Sequence, residues 1–93
     1  MALARVVEFA GVSSDRLEQI QQRSESGPPE GMPATEFVLL HDPEAGKAVA
    51  IVFFDTEDDY RAGDEILSAM PADETPGERV SVTKYDVPVR MSV

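Results

Sequence analysis

Two segments in the middle of the chain are apolar at successive positions instead of at every second one. They cover residues 37–40 and 48–54, and a turn that contains Asp42-Pro43 and Gly46 separates them. Turn residues between two apolar runs predict a hairpin. An antiparallel strand with one solvated face alternates apolar and polar residues. Because these strands do not alternate, we expect both faces of their sheet to be covered.

Four strands and two helices are predicted along the chain. Helical patterns follow Ser13 and Thr56, and each of these residues has a hydroxyl that can cap the first turn. Pro71 ends the second helical pattern. The predicted strands cover about residues 3–10, 34–41, 47–54 and 79–87, and the predicted helices about residues 14–26 and 57–70.

Two details of the pattern predict how these elements pack. Gly63 lies inside the second predicted helix, where glycine costs about 1 kcal/mol relative to alanine. Close packing of that helix against the sheet would account for its presence. In the fourth strand Val80 and Val82 alternate with Ser81 and Thr83, which predicts that the two valines share one face of the sheet.

The element order β-α-β-β-α-β predicts an α+β protein with the ferredoxin-like arrangement. In this fold a four-stranded antiparallel sheet carries both helices on one face. The 93 residues form one domain, residues 1–93, because this length lies below the usual mode of domain sizes. The other face would expose a larger apolar patch than soluble monomers usually do. We therefore expect a homodimer in which this helix-free face meets a second copy of the chain around a two-fold axis.

Composition excludes several classes of partner and site. The formal net charge is −10, from 18 acidic and 8 basic residues, which opposes binding to nucleic acid and to anionic membrane surfaces. No segment approaches the roughly 20 apolar residues needed to cross a bilayer, and the first eight residues do not resemble a signal peptide. The chain has no cysteine, which excludes disulfides, thiolate nucleophiles and cysteine zinc sites. This composition is typical of a reducing compartment, so we expect a cytoplasmic protein.

A few polar side chains are candidates for a catalytic or ligand-binding role. Histidine is the residue type whose ordinary pKa lies nearest neutrality, and His41 is the single histidine. It could accept a proton beside a pocket or simply bond a turn carbonyl or water at its strand end. Tyr60 and Tyr85 could each hydrogen-bond a ligand, although packing in an aromatic core is the commoner role. Arg5 could hold an anionic ligand or pair with a neighbouring acid.

The remaining polar clusters do not predict a metal or cofactor site. The acids at residues 55–59 begin a helix and favour its dipole, and they lack the converging loop that calcium requires. The chain has neither a glycine-rich phosphate loop nor a nucleophile elbow. We therefore expect no metal and no cofactor. The candidate catalytic residue is His41, and the candidate ligand-binding residues are Arg5, Phe9, Phe37, Tyr60 and Tyr85.

The order of motifs resembles a known family. Gly31-Met32-Pro33 forms a loop, a strand and the turn Asp42-Pro43-Glu44-Ala45-Gly46 follow, and a strand ending in Phe53-Phe54 leads to the acid-capped helix at Thr56. This run is similar to the antibiotic-biosynthesis-monooxygenase type of dimeric α+β barrel, and the similarity covers the whole chain. The resemblance implies a dimeric α+β barrel with a pocket between each sheet and its helices.

The resemblance leaves two main functions open. Enzymes of this superfamily typically use Asn, Trp and His or Tyr in the pocket, whereas this chain has no Asn or Trp and places Phe54 where the family often has Trp. The first hypothesis is a homodimer that binds a small apolar or aromatic ligand. The alternative is a cofactor-independent monooxygenase-like enzyme acting on an aromatic or polyketide-like substrate, with His41 as base and Tyr60 or Tyr85 orienting the substrate.

Overall fold

The chain folds in the predicted order of elements. The computed structural model describes residues 2–24, 27, 31–71 and 75–93. The elements are β1 Leu3–Ala10, α1 Ser14–Ser24, β2 Glu36–Asp42, β3 Lys47–Phe54, α2 Glu57–Ser68 and β4 Glu78–Asp86. The predicted end of the first helix, at residues 25 and 26, lies outside the described residues.

The four strands form one antiparallel sheet in the order β2-β3-β1-β4. β1 and β3 are therefore the central strands, and β2 and β4 are the edges. This arrangement confirms the ferredoxin-like α+β fold. In the hairpin turn, the Asp42 carboxylate accepts a hydrogen bond from Ala45 N at 3.2 Å, and Gly46 has a φ of 64° that suits glycine.

Both helices begin at the predicted caps. Ser13 Oγ accepts a hydrogen bond from Arg16 N at 3.2 Å, and Thr56 Oγ1 accepts one from Asp59 N at 3.1 Å. Each bond satisfies a backbone N–H of the first turn that has no partner within its helix. The caps therefore determine where the chain changes from strand or loop to helix.

The core lies between the helices and the two central strands. The strand register places Leu3 opposite Phe54, and Val7 opposite Ala50, with all four side chains buried on the helix-covered face. α2 lies so close to this face that a Cβ at Gly63 would collide with the Phe54 ring. The predicted close packing at Gly63 is confirmed.

A bulge changes the face on which Val80 lies. Val82 pairs with Val7 and Ser81 with Glu8, but the next pair joins Phe9 to Arg79, so Val80 is an extra residue in β4. Val80 lines a concavity together with Glu8, on the face away from the helices. The prediction that Val80 and Val82 share one face is therefore wrong, because the extra residue interrupts the alternation.

No helix of the described residues lies on the second face of the sheet, and this face is mainly apolar. Its apolar side chains, which together form the helix-free face, are Ala4, Val6, Val38, Leu40, Val49, Ile51, Phe53 and Tyr85. The chain after β4 crosses one end of this face, where Val87 N donates to Ala2 O at 3.0 Å. Arg90 pairs there with Glu36, and its guanidinium lies 4.1 Å from the centre of the Phe53 ring. Elsewhere on this face, Leu40 and Tyr85 remain about half exposed.

None of the helices within the described residues has both the length and the apolar character that a bilayer crossing requires.

Candidate functional site

A groove separates α1 from the edge strand β2 on the helix-covered face. The register of β2 against β3 places Phe37, Leu39 and His41 on this face, opposite residues whose side chains are buried beneath the helices. The groove has a volume of about 400 Å³. The residues that line it are Ser14, Leu17, Glu18, Ile20 and Gln21 from α1 and Phe37, Leu39 and His41 from β2. We call it the α1–β2 groove.

The groove exists because α1 is anchored at its beginning and has few apolar residues beyond. Val12 is buried in the core, and its N–H donates to Gly46 O at 2.9 Å. Arg16 Nε donates to Thr75 O at 2.9 Å, and Leu17 packs against the core. Later in the helix only Ile20 is apolar, so α1 does not close over β2.

His41 lies at one end of the groove with an unused hydrogen-bonding atom. Its Nε2 is buried and has no hydrogen-bond partner among the described residues. A buried polar atom without a partner costs about 1–3 kcal/mol. A neutral imidazole nitrogen can either donate or accept a hydrogen bond. His41 lies on the same face as Phe37 and Leu39, as the strand pattern predicts.

Phe37 forms the accessible apolar wall of the groove. Its side chain is 53% exposed although it lies on the helix-covered face. Because a half-exposed phenyl ring loses water when an apolar ligand lies against it, Phe37 is well placed to contribute to binding. Phe37 and His41 are the two predicted site residues that the structure brings together in this groove.

Arg5 lies elsewhere, beneath α2. It is 3% exposed on the central strand β1, where its Nε donates to Asp64 Oδ1 at 2.8 Å. A second guanidinium nitrogen donates to Ser68 Oγ at 3.4 Å. Of the two roles that the sequence allows, the structure shows pairing with an acid, and the pair joins a strand to a helix. Arg5 does not line the α1–β2 groove.

Tyr60 is also part of the α2 packing. Its ring meets Phe54 edge to face with 5.4 Å between centroids, and Lys84 Nζ lies 5.1 Å from the ring centre. Burial raises the pKa of the Tyr60 hydroxyl, and the nearby Asp64 carboxylate raises it further. Lys84 donates to Glu57 Oε1 at 2.6 Å, and this hydrogen bond lowers the pKa of Glu57.

The last two predicted residues lie apart from the groove. Phe9 is buried in the core beside Val7 and Val12. Tyr85 pairs with Ala4 on the helix-free face, where it is 53% exposed. The structure therefore distributes the six candidates over the groove, the core, the α2 packing and the opposite face.

None of the site residues predicted from the sequence lies on the α1 side of the groove. Leu17 and Ile20 carry a sequence signal, since they form the only apolar stripe of α1. Glu18 and Gln21 carry no comparable signal, because polar residues on a largely exposed helix are common. Leu39 could have been included, since it lies between Phe37 and His41 at the spacing of one strand face.

A second, smaller concavity lies on the opposite side of the sheet. Its volume is about 280 Å³, and it occupies the end of the helix-free face near the β2–β3 turn. Glu8, Leu40, Lys47, Val49 and Val80 are among its lining residues. His41 lines both concavities, so it lies at the boundary between the groove and this end of the helix-free face.

Within the described ranges of the chain, histidine, aspartate and glutamate side chains form no group of three or more that could hold a metal ion.

Comparison with solved structures confirms the fold. A structure of Rv0793 from Mycobacterium tuberculosis is similar with a TM-score of 0.61 and 12% identity, covering 99% of this chain and 100% of that chain. A putative antibiotic biosynthesis monooxygenase from Chloroflexus aurantiacus J-10-fl is similar with a TM-score of 0.60 and 9% identity, covering 100% and 98%. The predicted resemblance to antibiotic-biosynthesis-monooxygenase-like structures is confirmed at the level of the fold.

No family model and no curated protein matches the sequence.

Proposed function

We propose that this chain is a homodimer that binds a small apolar or aromatic ligand in the α1–β2 groove of each subunit. The observation that carries the ligand proposal is the groove itself, with an exposed phenyl ring as its wall and His41, whose buried Nε2 has no hydrogen-bond partner among the described residues, at its end. The two parts of the proposal concern opposite faces of the sheet, so they can be tested separately.

The size and lining of the groove support ligand binding. Its volume of about 400 Å³ falls in the range of about 300–1,000 Å³ that is usual for small-molecule sites. Such sites are mostly apolar and contain a few polar groups that orient the ligand. Here Leu17, Ile20, Phe37 and Leu39 supply apolar walls, and His41 supplies a polar end.

The exposed area of the chain supports the homodimer. The single chain exposes 6317 Å², whereas a folded monomer of 10.1 kDa exposes about 5,300 Å² by the usual scaling with mass. The excess of about 1,000 Å² is comparable to the roughly 800 Å² that each partner buries in a standard protein interface. The helix-free face is the apolar surface on which such burial would remove unfavourable contact with water.

The ligand proposal is tested with 2-naphthalenemethanol, a neutral aromatic probe. The chain has no tryptophan, so the naphthalene fluorescence can be followed without tryptophan emission. We expect saturable binding. Phe37→Ser should weaken it about tenfold, because the naphthalene ring of the probe loses its main exposed apolar contact. Val82→Ser is the control, since Val82 is 42% exposed on the helix-covered face of β4 and lies outside both the groove and the helix-free face. Equal binding by wild type and Phe37→Ser would exclude this groove as the site.

The homodimer is tested by sedimentation velocity at micromolar concentration. We expect a particle of twice the chain mass, and we expect Leu40→Lys to produce monomers because it places charge on the helix-free face. Val82→Lys is the control, because Val82 is similarly exposed but lies on the helix-covered side of β4. Wild-type protein that sediments as a folded monomer would refute the proposal.

The alternative function is a cofactor-independent monooxygenase-like activity on an aromatic or polyketide-like substrate in the same groove. His41 supports it, because it lines the groove, its Nε2 has no hydrogen-bond partner among the described residues, and a neutral imidazole can act as a general base. Tyr60 and Tyr85 lie away from the groove, so the proton acceptor would act without them. Oxygen consumption with a hydroxylated anthrone would be measured for wild type and His41→Ala, and equal rates would remove His41 from this role.

A further inference from the structure

The described residues that line the α1–β2 groove carry negative formal charge and no positive one. Of the eight residues that line it within the described chain, Glu18 alone carries a formal charge. Glu18 lies on the exposed side of α1, and no ion pair or hydrogen bond joins its side chain to another described residue. No lysine or arginine is among the described residues that line the groove, and Arg5, which could neutralise an anion, is paired with Asp64 beneath α2.

We infer that the α1–β2 groove selects ligands that join an apolar ring to a positively charged amine, with the ring against Phe37 and the ammonium group beside Glu18. This inference rests on the proposed ligand function of the groove and specifies the charge of its ligand.

The physical reason is that the Glu18 carboxylate makes the electrostatic potential negative at the edge of an otherwise mainly apolar groove. Glu18 lies one helical turn from both Ser14 and Gln21, and all three line the groove, so an amine arm on a ligand bound in the groove comes near the Glu18 carboxylate. An ammonium group there forms an ion pair, whereas a carboxylate meets a like charge. The formal net charge of −10 acts in the same direction at longer range.

Three probes of nearly equal shape test the inference: 2-naphthylmethylamine, 2-naphthalenemethanol and 2-naphthoate. At pH 7 they are respectively cationic, neutral and anionic. An exposed ion pair contributes a few-fold in affinity, and an exposed like-charge contact removes about as much. We therefore expect the amine to bind about tenfold more tightly than the carboxylate at low salt, with the alcohol between them. Raising the salt concentration should reduce the difference, because Glu18 is solvent-exposed.

A matched pair of variants separates Glu18 from the general charge of the protein. Glu18→Gln and Glu65→Gln each remove one negative charge from an exposed helical position, but Glu65 lies on α2, away from the groove. We expect Glu18→Gln to reduce the amine-to-carboxylate ratio to about threefold, and Glu65→Gln to leave it near tenfold.

The outcomes distinguish this inference from the proposal on which it rests. If the alcohol binds and Phe37→Ser weakens its binding, but the amine binds no better than the carboxylate, the inference is wrong and the ligand site stands. The inference is also wrong if the two glutamine variants reduce the ratio equally. If none of the three probes binds, both the inference and the ligand proposal are wrong.

Discussion

Replacement of Gly63 by alanine tests how closely α2 packs on the sheet. Taken alone, the helix propensity of alanine would stabilise the protein by about 1 kcal/mol. The structure opposes this gain, because the new methyl group would collide with the ring of Phe54, which is 0% exposed and has no free space to enter. Overpacking in a buried core costs about 1–3 kcal/mol, and here it has to exceed the propensity gain. We therefore expect a net loss of about 1 kcal/mol in the free energy of unfolding.

The assay is urea unfolding followed by far-ultraviolet circular dichroism at one fixed protein concentration, since the proposed dimerisation would make stability depend on concentration. A second variant identifies the cause of the loss. In a Phe54→Leu background the smaller side chain leaves room for the methyl group, so Gly63→Ala should there be neutral or stabilising. If Gly63→Ala stabilises the wild-type protein, α2 does not approach the sheet as closely as the structure shows.

Two further predictions concern charged pairs. Asp64→Ala should lower the free energy of unfolding by about 2 kcal/mol in denaturant titrations, because it leaves the buried Arg5 without its carboxylate, and Glu65→Ala on the same helix should change it by less than about 0.5 kcal/mol. Equal effects of these two variants would show that the Arg5 pair contributes nothing. Lys84 lowers the pKa of Glu57 below its ordinary value of 4.5, so the pair stabilises the folded state above that pH and the contribution is lost as the pH falls through the lowered pKa. Glu57→Gln should therefore be less stable than wild type in thermal melts at pH 6, with a difference that disappears towards pH 3, and a difference that does not change with pH would contradict the pairing.

The groove and the helix-free face impose different demands on the same sheet. β2 contributes Phe37 and Leu39 to the groove, while Val38 and Leu40 belong to the helix-free face. β2 is therefore apolar at successive positions because the side chains on its two faces belong to two different apolar surfaces. In the proposed assembly, the side chains on one face of β2 contact a small ligand, and those on the other face contact a second copy of the chain. A one-residue shift in the register of β2 would exchange the two surfaces.

The sequence by itself determined the features that depend on neighbouring residues. The hydroxyls of Ser13 and Thr56 cap the helices three residues along the chain, and the turn from Asp42 to Gly46 closes on itself. These interactions span only a few residues, so the local sequence is sufficient to predict them. The element order and the right-handed connections then leave the ferredoxin-like sheet as the arrangement to expect.

Only the tertiary structure decided which polar side chains share a site. Arg5 bonds an acid 59 residues away, and the bulge opposite Glu8 and Phe9 moves Val80 to the other face of the sheet. These outcomes depend on the distances between α2, β1 and β4 and on how far α1 extends over β2. Such distances arise from the packing of the whole chain, and many distant residues contribute to them through small differences in side-chain volume. For this reason strand parity could place Phe37 and His41 together, whereas the contribution of Glu18 to the groove required the folded chain.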